Sequence, residues 1–230
     1  MIEILHDVKL DSTFVEKITH GYSINELRTI RPAETSSHIV ISKRHDKSEV
    51  FLVGPCSAAS PIVIGADAEM IWIRLNLGTQ MSAIPTSKFT NKENLLPNLN
   101  SSEIIVNDSI LKIPDYNDID GFLDKLKRIG FFKYNSMIPD VIAGAKAKIP
   151  ARTLRKHFLD VAGLSQERVR QIQKAEQAKT MLLSGVPILD VVDKLGYYDQ
   201  AHLTGNLKKQ IGKTPGELKK SLELPNLPRQ

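Results

Sequence analysis

The last third of this chain carries one local pattern twice, and the two copies are joined by a single long helical stretch. The clearer copy runs from Pro187 to Leu218. Pro187 suits the first turn of a helix, where its missing N–H leaves no intrahelical bond unmade. Ile188, Val191, Val192 and Leu195 fall on one helical face. Gly196 stands where a helix must end and the backbone turns to positive φ. Asp199 is placed to cap the next helix with its carboxylate. In that helix Leu203, Leu207 and Ile211 recur at every fourth residue and are predicted to face inward. Gln200, His202, Thr204, Asn206, Lys208 and Lys209 are left on a polar outer side. A short helix, a tight turn and a second helix with a polar outer face make a helix-turn-helix, a shape suited to entering a nucleic-acid groove.

The other copy spans 137–163. Its first helix is predicted within Met137–Lys146, with Gly144 as a weak point. Its second helix is predicted over Ala151–Gly163, started by Pro150. Leu154, Phe158 and Val161 form the inner stripe, while Arg152, Arg155, Lys156 and His157 form a basic outer face beside Thr153. Between the copies, Ser165 is placed to cap a helix running to about Ser184 and ended by Gly185. Val169, Ile172, Ala175, Ala178 and Leu182 mark its inner side.

The run RTLRKHFLDVAGLS, the long helix and LGYYDQAHLTGNLKKQIGKTPGEL together resemble the AraC/XylS family of bacterial transcription regulators. The resemblance covers roughly residues 135 to 220. It implies an all-α, seven-helix domain with two recognition helices in successive major grooves of double-stranded DNA. It also implies base-facing positions at Arg152, Arg155 and Lys156 in one helix and at Gln200, Ala201 and His202 in the other, with Lys208 and Lys209 near phosphates. Two positions depart from the family pattern. Gly205 stands where an arginine is usual, and Pro150 stands where a serine cap is usual. Glycine removes a guanidinium and costs about 1 kcal/mol of helix stability relative to alanine. The first head, with three cations, is therefore expected to carry more of the affinity.

The distribution of charge agrees. The 230 residues carry a formal net charge of +5. Met1–Tyr134 holds 15 Lys and Arg against 17 Asp and Glu, a net of −2, and Asn135–Gln230 holds 16 against 9, a net of +7. A basic half joined to a slightly acidic one suggests nucleic acid for the former and another task for the latter. Cys56 is the only cysteine, so no internal disulfide forms. There is no charged-then-apolar leader at Met1, and the apolar runs are interrupted by charge and too short for a bilayer. The expectation is a soluble cytoplasmic protein with no membrane partner.

The first half reads as β. HIVIS (38–42), EVFLVG (49–54), PIVIGA (61–66) and MIWIRLNL (70–77) are short β-rich runs between turns, which predicts a small antiparallel sheet or half barrel. In the last run Ile71, Ile73, Leu75 and Leu77 share one face, and Trp72, Arg74 and Asn76 share the other. Trp72 and Arg74 can line a pocket, or the indole can pack against a loop beside an exposed arginine. GPCSAAS followed by IWIRLNLGTQMSAIP resembles the amino-terminal β domain attached to some AraC-type regulators, although Leu77 stands where proline is usual. That likeness implies a sensor or oligomerisation domain without naming a ligand. Residues 79–102 are predicted as loop, 104–113 as one extended run, and a helix is predicted from Asp118. The expected class is α+β: a small antiparallel β domain over 1–115, the helical domain over 116–224 with units at 137–163 and 187–211, and a tail at 225–230.

Other chemistries lack their signatures. No two histidines, and no histidine and cysteine, stand at metal-ligand spacing. There is no phosphate loop, dinucleotide glycine pattern or nucleophile elbow. Neither a cofactor nor a catalytic residue is assigned. Three readings remain. The first is a sequence-specific regulator that binds DNA, with RNA polymerase, a second copy and a small effector as further candidate partners. The second is an interaction protein whose degenerate helix-turn-helix domain binds DNA weakly or not at all, for which Gly205 speaks. The third is an enzyme using Cys56 on nucleic acid, which requires an activated thiol.

Overall fold

The computed structural model describes residues 2–45, 47–81 and 85–223, the last three by backbone alone. The tail at 225–230 lies outside the described residues. Alternation of apolar and polar residues builds the amino-terminal half. Its strands are β1 (Ile2–Lys9), β2 (Val15–Ser23), β3 (Leu27–Arg31), β4 (His38–Arg44), β5 (Lys47–Val53), β6 (Ser60–Ile64), β7 (Ala68–Leu75), β8 (Thr79–Met81), β9 (Glu93–Leu95), β10 (Asn98–Asn100), β11 (Glu103–Val106) and β12 (Ser109–Lys112). Six of them form an antiparallel sheet in the order β1-β2-β7-β4-β5-β9. Ile39 pairs with Ile73 and Leu52, and Ile41 with Ile71 and Val50. These β-branched and aliphatic side chains line one face and are buried.

That face is covered by the β11–β12 hairpin and by α1 (Ile119–Arg128). Ile104, Val106, Leu111, Phe122, Leu126 and Phe131 complete the same core. The opposite face carries Val40, Phe51, Met70 and Trp72. It looks across a cavity of about 710 Å³ to the two-stranded ribbon β3–β6. Trp72 is thus a cavity wall, while Arg74 is held by the carboxylates of Glu34 and Glu16.

The β prediction differs from the structure in three places. β1 to β3 lie before His38, where no strand was expected. β1 is exposed along most of its length, and register shifts in β1 and β2 break the alternation that marks a strand. Residues 79–102, expected as loop, contain the short strands β8, β9 and β10. The single run expected at 104–113 is a hairpin, because Asn107 and Asp108 both take positive φ (47° and 60°). That pair suits a tight two-residue turn.

The remaining elements are β13 (Phe132–Tyr134), α2 (Met137–Ile142), α3 (Ala151–Ala162), α4 (Gln166–Leu183), α5 (Ile188–Leu195), α6 (Gln200–Ile211) and α7 (Pro215–Glu223). β13 pairs with β8. Seven α-helices occur among the described residues, but α1 packs with the sheet, which leaves α2 to α7 for the tandem unit. Phe122 and Leu126 of α1, with Phe131 and Phe132, share the core of the β half. α4 belongs to two cores. Val169 and Ile172 sit with Ile138, Phe158 and Val161 of the first unit. Ala175, Ala178 and Leu182 sit with Val191, Leu203 and Leu207 of the second. One rigid rod therefore ties the two units together.

Candidate nucleic-acid interface

Local chemistry fixes where each candidate helix starts and stops. The Ser165 hydroxyl accepts from the Arg168 amide at 3.2 Å and opens α4. The Asp199 carboxylate accepts from the His202 amide at 2.7 Å and opens α6. Gly163 and Gly212 close α3 and α6 in the left-handed region, at φ 74° and 80°. Thr214 and Glu217 form a reciprocal capping pair at the start of α7, and these bonds hold the Glu217 carboxyl below its ordinary pKa.

On α3, Phe158, Val161 and Ala162 are buried while Arg152, Thr153, Arg155 and Lys156 are exposed. None of these four has a side-chain hydrogen bond or ion pair among the described residues. Their polar groups are thus free for an external partner. His157 departs from the predicted basic face. It is half-buried, and its Nε2 lies 2.8 Å from the Asn135 side-chain amide.

On α6, Gln200, Ala201, His202, Lys208 and Lys209 are exposed. Two other candidates are engaged within the fold. The Thr204 hydroxyl donates to the Gln200 carbonyl at 2.8 Å. The Asn206 side-chain Oδ1 accepts from the Tyr197 hydroxyl at 3.0 Å, and burial pushes the Tyr197 pKa up to about 12, so the phenol keeps its proton. His202 accepts from the Tyr198 amide at Nδ1 (3.3 Å) and meets the Tyr197 ring edge-on. With Nδ1 accepting, Nε2 carries the proton and is left as a donor. Gly205 lies at the middle of the exposed face, and a Cβ there would meet nothing within 4 Å.

Sequence reasoning passed over three residues beside this face. Tyr198, in the turn before α6, is 91% exposed. Arg170 and Lys174 of α4 border a cleft of about 590 Å³ that they share with His202, Gly205 and Lys209 of α6. Lys174 also donates to the Gly196 carbonyl at 2.9 Å, and its ammonium sits 4.0 Å from the centre of the Tyr197 ring. It thereby neutralises the negative end of α5. The signal was available in sequence, because both residues fall off the inner stripe of α4.

Residues 144–221 match the family model described as a helix-turn-helix domain, and this segment runs from just past α2 into α7. In this segment the chain is similar to the AraC-type helix-turn-helix domain of transcription regulators. The match covers less than half of the chain and leaves the β half outside it. No curated protein and no solved structure showed significant similarity to the chain. The matched AraC-type domain is a DNA-binding module, not a catalytic one. Cys56 is buried, its thiol faces the Gly54 carbonyl at 3.8 Å, and burial raises its pKa. That environment favours the unreactive thiol over the thiolate. No helix among the described residues is long and apolar enough to cross a membrane.

Proposed function

We propose that this regulator reads specific DNA with two heads, α3 and α6, set into successive major grooves. The observation that carries the reading is the pairing of two exposed polar helix faces on one rod. α4 has 18 residues and a length of about 27 Å at 1.5 Å per residue. Units packed on its two halves fit the roughly 34 Å that separates successive turns of a groove. Arg152, Arg155 and Lys156 would read and grip the first groove beside Thr153. Gln200, Ala201 and His202 would face the second, with Lys208 and Lys209 on phosphates. Thr204 and Asn206 would act as supports of α6, given their internal bonds. Selection of duplexes from a random pool, followed by titration with salt, tests the reading. A sequence preference that survives physiological salt is expected. Steep, sequence-blind binding would leave only a non-specific polycation.

Gly205 favours a second reading, in which the α6 head is weak and the protein acts mainly through other contacts. The open space around Gly205 makes a direct test available. Gly205→Arg should tighten binding by about 1–3 kcal/mol if α6 faces a groove, the worth of one good base contact. Unchanged affinity in a titration of the selected duplex would place α6 outside the groove.

The β half is proposed as the sensing part, with its effector in the cavity between β3–β6 and the sheet. Among the charged residues of its wall, Arg31 pairs with Glu93, Glu34 with Arg74 and Glu49 with Lys47, and Arg44 is exposed at the end of β4. Val40, Phe51, Met70 and Trp72 of the sheet and Ile62 and Ile64 of β6 are among its apolar lining. An uncharged, largely apolar molecule suits that wall.

A further inference from the structure

The C-terminal ends of both reading helices rest on the β half. The Gly163 carbonyl, at the end of α3, accepts from the Thr90 hydroxyl at 2.6 Å. Gly163 lies so close to that half that a Cβ would stand 2.7 Å from Pro55 and 2.8 Å from Thr90. At the end of α6, the Lys209 carbonyl accepts from the Ala59 amide at 2.9 Å and the Gln210 carbonyl from the Ala33 amide at 2.6 Å. A Cβ on Gly212 would collide with the Ile30 side chain. These glycines are needed for the approach as well as for the left-handed cap. Carbonyls at helix ends that lack intrahelical partners are thus satisfied by the other half of the molecule.

Ala33 links the two heads by itself. Its amide holds α6, while its side chain is buried in the core of the first unit with Phe158 and Val161. The segment that carries it is anchored to the sheet. Glu34 bridges to Cys56 through backbone bonds of 2.9 and 2.8 Å, and its carboxylate takes Arg74 at 2.9 Å. The heads are therefore joined twice, once through α4 and once through this seat on the β half. Two independent ties suppress a relative twist of the units that one rod would allow.

We propose that this seat is a positioning device for DNA reading: Thr90, Ile30 and Ala33 fix the separation and mutual angle of the two recognition helices, and so determine which spacing of half-sites is accepted. The proposal rests on the two-head reading, yet its mechanical part can be measured without DNA. Nitroxide labels are placed at Leu159→Cys on α3 and Lys194→Cys on α5, in a Cys56→Ala background of the full chain. One narrow distance distribution is expected. Thr90→Val with Ile30→Glu removes the hydroxyl donor and places a charge against Gly212. The distribution should broaden while the thermal melt stays cooperative, and Thr90→Ser should keep it narrow.

On DNA, the unaltered chain should prefer one half-site spacing over spacings one base pair longer or shorter. One hydrogen bond of this kind is worth about fivefold in an equilibrium. The double variant should lose about that factor in discrimination, with binding to an isolated half-site unchanged. A distribution equally narrow in the double variant would overturn the seat. A broadened distribution with spacing preference intact would overturn its role in reading. If the unaltered chain shows no spacing preference, the two-head reading fails, and the label distances still decide whether the seat holds the helices.

Discussion

Arg155→Ala is expected to weaken binding of the selected duplex by about 1–3 kcal/mol and to relax the preference at one or two adjacent base pairs. The argument starts from α3. Its inner stripe is consumed by the core, so the helix cannot roll without unburying Phe158, Val161 and Ala162. Arg155 is exposed and its guanidinium has no acceptor among the described residues. Removing it therefore breaks nothing inside the fold, and a melting curve should be unchanged within error. A guanidinium donates through a planar fork that matches the two acceptors of guanine in the major groove. Loss of affinity should accordingly be sequence-dependent. Lys156→Ala, by contrast, should weaken all duplexes alike and flatten the salt dependence if that ammonium meets a phosphate. Equal affinity and equal preference for Arg155→Ala and the unaltered chain would remove α3 from the groove.

The contrast between the two halves shows what a sequence reveals. In the helical half, period and punctuation coincide. Ser165, Asp199, Gly163, Gly196 and Gly212 stand at the ends of runs with a clean inner stripe, so α3 to α6 could be placed from residues alone. In the β half, period 2 was legible in β4, β5, β6 and β7, but not in β2, which lies inside the sheet with a shifted register. β1 is an edge strand with little to bury, and bulges shift the register of β1 and β2. α1 was recognised as a helix, but the pattern of Phe122 and Leu126 says only that one side is buried, not against what.

The same limit applies at the interface. Periodicity put Thr204 and Asn206 on the polar side of α6 but could not show that their side chains are already bonded within the fold. Nor could it show that Ala33 and Gln210, far apart in sequence, share a hydrogen bond. Faces follow from local sequence, whereas partners require the fold.

Acid should unfold the β half through His38. This side chain projects from β4 toward the cavity, and only 18% of it reaches solvent. Burial, aided by the positive charges of Arg74 and Arg31, lowers its pKa from 6.5 to about 4. The Glu34 carboxylate, 4.0 Å away, is already engaged by Arg74 and by the amides of Thr35 and Ser36. In the unfolded chain His38 takes up a proton as pH falls through about 6.5, while in the folded chain it stays neutral until about 4. The unfolded state therefore binds more protons throughout that window, and stability must fall with pH. A shift of this size corresponds to roughly 2–4 kcal/mol, fully present above pH 6.5 and lost by about pH 4. Carboxylates elsewhere add their own acid dependence, so the measurement is a difference. Urea unfolding of the unaltered chain and of His38→Gln, repeated from pH 7.5 to 4, should give curves that diverge below pH 6.5, with the variant losing less. Parallel curves would mean that His38 is protonated as readily in the folded protein as in the unfolded chain. The cavity wall would then carry a positive charge in mild acid, and an uncharged apolar effector would no longer suit it.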